Sequence, residues 1–373
     1  MRTIRGLRLF AAAVISGLLA VTTTACGTAD DNKASVSGRL AGNSPQDLKR
    51  WIEGGWQDWD KSQWLREAKD FFNPVIPGRW QPDTMKDARP GDKTVSRAAP
   101  VDLGVSDPEP RPVTARPVGL PYHQFAAPVG KVFFDGPEGR MVCSATVVTD
   151  PVRPGRSNMV WTAGHCVHAG KDGGWFRNIV FVPSYNDNGV SAAQFNSSRQ
   201  EDVLPFGVWW ADWAQTSPQW IAEGAETGGA GAPFDFAVLH VKLPNGDGRS
   251  LEETVGNAVP VNFTAPPVKS VPAMNAKGYP AGPPFDGQFM FSCDDAPGRL
   301  SVRPDQPTMY RIGCTMTGGS SGGGWFTTGP GGQLLLTSNT SIGPADNTWL
   351  AGPSLGPEAN EVYASVSRKF AFQ

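Results

Sequence analysis

The sequence predicts an all-β protein built from short antiparallel strands, and two observations carry that prediction. Glycine and proline supply 44 and 34 of the 373 residues, and only 18% are charged, a composition that disfavours long helices and coiled coils. Seven short β-rich runs, separated by turn-rich segments, lie at 129–134, 141–149, 159–163, 179–182, 208–210, 236–241 and 334–338. No helix recurs between these runs, so an antiparallel barrel or sandwich is favoured over a parallel sheet.

The overall composition also limits the class of function. Hydrophobic residues make up 39% of the chain, enough to build a core, so global disorder is excluded. The formal net charge of -2 argues against a nucleic-acid-binding protein, which would carry a basic surplus. The five cysteines leave one without a partner if the other four form disulfides.

The amino terminus predicts export. Residues 1–25 combine three early arginines with an apolar run at 9–21 that suits a signal peptide and is too short to span a membrane. Cys26 follows Ala25 in a pattern that resembles the lipobox of bacterial lipoproteins, so we expect a lipid on Cys26 and a polar tether at 26–43. The alternative is an ordinary secretory signal with an incidental cysteine. The protein is therefore expected on the outer face of the cytoplasmic membrane, or secreted, with no membrane contact beyond the lipid.

Two further segments precede the main domain. Residues 44–73 place aromatic and apolar residues at helical spacing, with a glycine pair at 54–55 dividing the element. This segment is either a pro-segment that covers another surface or a small helical hairpin packed on the main domain. Residues 74–121 contain ten prolines and predict an extended linker. The main domain then spans 122–373, and its last element, at 357–370, predicts an amphipathic helix.

Three segments of the main domain carry candidate chemistry. His165 follows a predicted strand and is a plausible general base. Asp235 directly precedes an apolar strand, where a buried acid needs a partner such as an imidazole. Ser320 and Ser321 lie in the glycine-rich loop at 318–324, where the backbone can approach closely and direct its N–H groups at an oxyanion. Because serine is a poor nucleophile without a base, and the base needs an acid to hold its tautomer, the set predicts acyl transfer.

In the order His165, Asp235, Ser321 these motifs resemble the trypsin-like serine peptidases of the chymotrypsin fold, and most closely the bacterial branch that includes the glutamyl endopeptidases. The resemblance rests on the segments 162–166, 235–239 and 319–323, and the segment 278–280 is a weaker match. It covers residues 122–373, approximately. It implies two six-stranded antiparallel β-barrels with a C-terminal helix. It also implies a serine endopeptidase that acts on a polypeptide and needs no cofactor.

The resemblance also assigns roles to further residues. Backbone N–H groups of Gly319 and Ser321 would form the oxyanion hole. Thr315 would lie at the base of the substrate pocket, and the strand at 337–341 would supply a wall through Ser338 and Asn339. Sequence alone allows three pairings of the four remaining cysteines. The resemblance implies a disulfide between Cys143 and Cys166, which leaves Cys293 to pair with Cys314.

The same residues allow alternative assignments. Ser320 fits the Gly-x-Ser-x-Gly nucleophile of α/β-hydrolases, but that fold places its histidine after the serine, and none follows His240 here. Zinc at Cys143, His165 and Cys166 is disfavoured because exported cysteines oxidise, so we expect no metal. His240 is expected to be a packed strand residue. Rival triad acids are Asp187, Asp202 and Asp212.

The sequence leaves two rival functions open. The chain could be a catalytically silent peptidase-like binding module on the cell surface, or an esterase that uses the same triad. The pocket residues match neither the aspartate of a trypsin-type pocket nor the histidine of the glutamyl endopeptidases, so a small or polar pocket is expected. We expect a monomer that does not bind nucleic acid.

Overall fold

The computed structural model describes Lys49 and residues 51–91, 94–95, 105–227 and 229–372. The predicted signal peptide at 1–25, Cys26 and the tether at 26–43 lie outside these residues. No helix in the described ranges is long and apolar enough to cross a membrane.

The segment before the main domain contains only short elements. Its helices are Lys61–Glu67 and Pro82–Met85, and its strands are β1 (Arg89–Pro90), β2 (Thr94–Val95) and β3 (Arg116–Pro117). Gly54, at φ 84°, starts the predicted break in the first helical stretch, because that backbone region favours glycine. The small helical N-terminal part of the fold prediction is therefore confirmed.

Six strands form a closed antiparallel barrel, which confirms the first barrel of the predicted fold. Strand order is β5-β4-β7-β8-β9-β6, and pairing of β5 with β6 closes the cylinder. The strands are β4 (Val129–Gly136), β5 (Gly139–Val148), β6 (Met159–Thr162), β7 (Arg177–Pro183), β8 (Trp209–Thr216) and β9 (Ala237–Lys242). Strand β8 is longer than its predicted run at 208–210, because Asp212 sits at a register shift and breaks the apolar pattern.

The second half consists of smaller sheets. One sheet has the order β15-β14-β10-β11-β3, a second the order β12-β13-β17, and β16 pairs with β2. The added strands are β10 (Met274–Gly278), β11 (Phe291–Asp295), β12 (Gly298–Leu300), β13 (Met309–Gly313), β14 (Gly324–Thr328), β15 (Leu334–Asn339), β16 (Gly343–Pro344) and β17 (Trp349–Gly352). Of these, only β15 was predicted, because most of the others are five residues or shorter and mix polar with apolar side chains.

The remaining elements are short, with one exception. The predicted terminal helix is confirmed at Pro357–Lys369, and it buries Val362 and Val366 against the first barrel. The other α-helices are Tyr122–Phe125, Gln200–Val203, Pro218–Glu223 and Leu251–Val255. Single 3-10 turns lie at Gly164–Cys166, Ala192–Ser197, Ala232–Phe234, Val268–Ser270 and Pro330–Gly332.

Both predicted disulfides are present. Cys143 in β5 is bonded to Cys166 just after β6, and Cys293 in β11 is bonded to Cys314 just after β13. The bridged residues are separated by 23 and 21 positions. In the chain-entropy model each closed loop of this size contributes about 3 kcal/mol to the free energy of unfolding.

The N-terminal segment is built into the outer face of the barrel. The Asn73 amide donates to the carbonyls of Ile179 (2.9 Å) and Ala211 (2.8 Å), and its Oδ1 accepts the N–H of Ile179 (2.7 Å). One side chain thus completes the backbone hydrogen bonding of two adjacent strands, β7 and β8. Every residue of β7 is buried, so its backbone groups need hydrogen-bond partners within the protein.

A second attachment is ionic. The Arg79 guanidinium forms a bidentate pair with Asp135, whose side chain is only 3% exposed. Asn178 donates to the same carboxylate at 2.6 Å, and Trp80 donates to the Asn178 carbonyl at 2.6 Å. A buried carboxylate needs such donors, so removing Arg79 would leave Asp135 uncompensated.

A buried lysine joins the barrel to the second half. Lys131 of β4 is 1% exposed and donates from Nζ to the Gly287 carbonyl at 2.7 Å. Its Nζ lies 4.5 Å from the ring centroid of Tyr185 and 4.9 Å from that of Phe133. Burial lowers the pKa of Lys131 to about 7, against an opposing effect of Asp286. Lys131 therefore holds the loop that follows β10 in place. Burial of its charged ammonium group costs desolvation free energy.

Replacing Asn73 with alanine should lower the free energy of unfolding by about 2–3 kcal/mol, because three backbone groups of β7 and β8 lose their partner. Urea denaturation of the two proteins measures the difference. The matched control is Asn360→Ala, whose exposed side chain lies on the C-terminal helix. An unchanged midpoint for the Asn73 variant would show that the segment is not part of the barrel.

The buried Lys131 predicts a pH-dependent stability. Its pKa is about 7 in the folded protein and near the ordinary 10.5 in the unfolded chain. Between these values the unfolded chain binds a proton that the folded protein does not, so the free energy of unfolding rises with pH. The free energy of unfolding of the wild type, measured relative to that of Lys131→Met, should rise by more than about 1.4 kcal/mol between pH 7 and 10. The exposed-lysine control Lys171→Met should show a difference that does not vary with pH, and the same flat profile for Lys131→Met would contradict the account.

Candidate active site

Asp235 holds His165 by two hydrogen bonds. It follows the Ala232–Phe234 turn, precedes β9 and is 1% exposed. Its Oδ1 accepts the His165 backbone N–H at 2.8 Å, and its Oδ2 lies 2.6 Å from His165 Nδ1. A carboxylate can only accept, so Nδ1 carries the proton and Nε2 of a neutral ring is free to take one.

Residues of the second half complete the shell around this carboxylate. Ser341 Oγ donates to Asp235 Oδ2 at 2.5 Å. The Asn339 amide donates to the Asp235 carbonyl at 3.1 Å and accepts from Trp161 Nε1 at 3.0 Å. The acid is therefore shared by both halves of the domain, which fixes its orientation towards His165.

His165 is fixed by its backbone as well as by the acid. It lies in the Gly164–Cys166 turn, and the Cys143–Cys166 disulfide ties that turn to β5. A Cβ on Gly164 would come within 2.7 Å of Thr216 Oγ1 and 2.9 Å of the Trp220 ring, so glycine is required for this close approach. His165 is 4% exposed, and its Nε2 has no hydrogen-bond partner among the described residues.

The Ser321 loop lies directly against the strand that leads to His165. The Ser144 N–H donates to the Ser321 carbonyl at 2.7 Å, and the Gly322 N–H donates to the Thr340 carbonyl at 2.8 Å. A Cβ on Gly322 would come within 2.1 Å of Thr162 Oγ1, so only glycine allows this contact. Ser321 is 6% exposed and makes no hydrogen bond to His165 in this state.

The backbone before Ser321 leaves two N–H groups free. Ala281 N–H and Ser144 Oγ donate to the carbonyls of Gly318 (2.7 Å) and Gly319 (2.8 Å). Gly319 has φ 95°, a conformation that favours glycine. No acceptor in the described part of the chain takes the N–H of Gly319 or of Ser321. Two free, fixed N–H groups next to a serine suit an oxyanion.

The Ser320 hydroxyl is hydrogen-bonded to the backbone of its own loop. Its Oγ donates to the Thr317 carbonyl at 2.7 Å, and its N–H donates to the same oxygen at 3.2 Å. It is 1% exposed. These bonds argue for Ser321 over Ser320 as the nucleophile.

A small pocket of about 50 Å³ opens beside Ser321. Its lining comes from the segments 316–318 and 340–344, with Asn347 and Leu350. The three sequence-predicted pocket residues, Thr315, Ser338 and Asn339, are not in this lining. Thr315 Oγ1 accepts the Ala115 N–H at 2.9 Å, and Ser338 Oγ donates to the Pro353 carbonyl.

The predicted wall strand at 337–341 contributes Thr340 and Ser341 to this lining, although the two residues named from it were Ser338 and Asn339. The hydrogen bond from Ser341 to Asp235 was not predicted. The strand was correctly located, but alternation alone does not say which of its residues faces the pocket. The signal was available in part, since Ser341 follows a run of small polar residues that a buried strand carries only when they have partners.

His240 and the three rival triad acids each have a partner away from His165. His240 stacks on Phe370 with centroids 3.6 Å apart and hydrogen bonds to Asp212, one of the rival acids. The other two rival acids pair elsewhere, Asp187 with His123 and Asp202 with Arg199.

The cysteine and histidine cluster at His165 does not form a thiolate site. The ligand atoms of Cys143, His165 and Cys166 lie within 4.8 Å of one another, but the two sulfurs are bonded to each other. Only a free thiolate would bind zinc at such a site. Burial lowers the pKa of nearby His168 to about 4, so it is neutral at pH 7.

The chain is similar in fold and sequence to solved serine proteases. A thermostable serine protease from an extremophilic microorganism is 32% identical, with a TM-score of 0.52, and the match covers 65% of this chain and 98% of that one. The protease Anisep from Arthrobacter nicotinovorans is 28% identical, with a TM-score of 0.53, over 68% of this chain and 99% of that one.

A Glu endopeptidase structure also matches, at 16% identity and a TM-score of 0.46, over 71% of this chain and 99% of that one. No family model and no curated protein matches the chain. The chain belongs to the serine proteases of the chymotrypsin fold, as shown by its closed barrel, its second set of sheets and the 32% identical structure.

Proposed function

We propose that the protein is an exported serine endopeptidase that cleaves peptide bonds with Ser321 as nucleophile, His165 as base and Asp235 as orienting acid. The observation that carries the proposal is the buried Asp235 carboxylate, which binds both the backbone N–H and Nδ1 of His165. This arrangement leaves Nε2 buried and without a hydrogen-bond partner among the described residues. The Ser321 loop packs against Thr162, three positions before His165. No cofactor is needed for this chemistry.

The mechanism follows from these contacts. His165 Nε2 takes the proton of Ser321 Oγ as that oxygen attacks the peptide carbonyl carbon. The N–H groups of Gly319 and Ser321 stabilise the resulting oxyanion. The protonated ring then gives its proton to the leaving amine, and the C–N bond breaks to leave an acyl-enzyme. Asp235 stays ionised and stabilises the imidazolium throughout.

Water completes the cycle. It loses a proton to His165 Nε2, attacks the acyl carbon and releases the new carboxylate, after which the proton returns to Ser321 Oγ. The pocket of about 50 Å³ beside Ser321 supports a preference for a small side chain on the acyl residue.

The proposed export has its own support. The two disulfides are typical of an oxidising compartment, and the proposed signal peptide with Cys26 would deliver the protein there. The mass of the mature protein tests this part, since a lipid on Cys26 adds a defined mass and a plain secreted form does not.

Ser321→Ala should abolish hydrolysis of casein and of peptides with alanine as the acyl residue, because the nucleophile is lost. It should also abolish labelling by a fluorophosphonate, which reacts with an activated serine. The control Ser320→Ala should keep both activities, because its hydroxyl binds Thr317 instead. Labelling that persists in Ser321→Ala would refute the assignment, and casein left intact while nitrophenyl esters are cleaved would favour an esterase.

Asp235→Asn should lower kcat by about 10⁴-fold at pH 7, because an amide has one acceptor oxygen and cannot accept from both the backbone N–H and Nδ1–H of His165. Its NH2 group then favours the wrong tautomer of the ring. Ser341→Ala should lower kcat only about tenfold, since it removes one of three donors to the carboxylate. Steady-state kinetics on a peptide substrate measures both, with circular dichroism as a check on folding. Equal losses in the two variants would contradict the orienting role of Asp235.

A further inference from the structure

Two short pieces of the N-terminal segment pair with sheet edges of the main domain. Strand β1 pairs in parallel with Met141 and Val142, which directly precede the disulfide-bonded Cys143. Strand β2 pairs in parallel with Gly343 and Pro344. The β1 pairing adds a seventh strand to the barrel sheet at β5, whereas β2 and β16 form a separate two-stranded sheet. The proposed catalysis gives no role to either pairing.

These two edges flank the catalytic residues. Pro90 and Gly91 line a cavity of about 700 Å³ together with His165 and Cys143. On the other side, Gly343 and Pro344 line the small pocket that Ser321 also lines. One stretch of chain is therefore in contact with both the histidine side and the serine side of the candidate site.

An extended peptide binds a protein most readily by adding a strand to an exposed sheet edge. A polypeptide that presents its carbonyl to Ser321 has to extend past the same two edges. We propose that the strap, defined as Arg89–Gly91 with Thr94–Val95, occupies the edges that a substrate needs and holds the full-length protein in a latent state. This inference rests on the proposed peptidase function.

The direction of the strap explains why it would not be cleaved. The strap runs from the histidine side, at Met141, to the pocket side, at Gly343. A substrate has to run the other way, because its leaving amine must face His165 Nε2 to be protonated. The strap thus offers its peptide bonds in reverse and acts as an inhibitor that is bound but not turned over.

The strap is held at its N-terminal end by the barrel itself. Arg79 pairs with Asp135, Trp80 donates to the Asn178 carbonyl, and Met85 is fully buried, all within ten residues of β1. This tether keeps the strap at a high effective concentration, so two short ladders are enough to compete with a substrate. Activation then requires displacement of the strap and not unfolding of the segment.

Consecutive N–H groups of a strand point to opposite sides, so one of the two in β2 faces β16, and the double variant Thr94→Pro/Val95→Pro removes it whichever residue carries it. Its kcat/KM for an extended peptide substrate should exceed that of the full-length wild type by about tenfold or more, mainly through a lower KM, because a larger fraction of molecules is competent to bind. The control Val105→Pro lies outside the strap and should behave as wild type. Equal kcat/KM in wild type and the double variant would overturn the inference.

Two further measurements make the result decisive. A synthetic peptide spanning residues 87–97 should inhibit the double variant, and a scrambled peptide should not. In wild type, a peptide boronate that fills the site should increase hydrogen exchange in peptides covering 89–91 and 94–95, and unchanged exchange would overturn the inference without any variant. If fluorophosphonate labels Ser321 but wild type and the double variant have equal kcat/KM, only the strap proposal is refuted. If neither protein is labelled, the peptidase proposal is refuted as well.

Discussion

The buried carboxylate of Asp235 is the constraint on which the site depends, and its hydrogen bonds are among those that join the two halves. A charge in this position is tolerated only if donors surround it, and they come from both halves, His165 from the barrel and Ser341 from the second set of sheets. The same bonds that satisfy the acid fix the imidazole and bring the 340–344 wall beside Ser321. Stability and proposed catalysis therefore use one set of contacts.

The glycine-rich loop and its supports extend this arrangement. Gly322 fits against Thr162 only because it lacks a Cβ, and Ala281 fixes the Gly318 carbonyl so that the Gly319 N–H stays free. Lys131 stabilises the same region from the barrel side by binding the Gly287 carbonyl. The N-terminal segment adds to the barrel through Asn73 and Arg79, which makes it a structural part of the protein as well as the source of the proposed strap.

Local apolar runs predicted the antiparallel strands and the C-terminal helix, and an acid just before an apolar strand suggested an imidazole partner for Asp235. The closed barrel and both disulfides were implied by the family resemblance, which rests on motifs of a few adjacent residues. The short strands of the second half, such as β12 and β16, depend on tertiary pairing and leave little periodic signal. The same reason explains the pocket residues: Thr315 is covered by Ala115, and Ser338 bonds to Pro353, contacts between distant positions that spacing cannot show.

A crystal structure of the protein with a peptide boronate of alanine at the acyl position would test the roles of Ser321, His165 and Asp235 directly. We expect a covalent bond from boron to Ser321 Oγ, with one boronate oxygen about 2.7–3.1 Å from the N–H groups of Gly319 and Ser321. It also predicts His165 Nε2 within hydrogen-bond distance of the adduct. A bond to Ser320, or a boronate oxygen that points away from both N–H groups, would contradict the account.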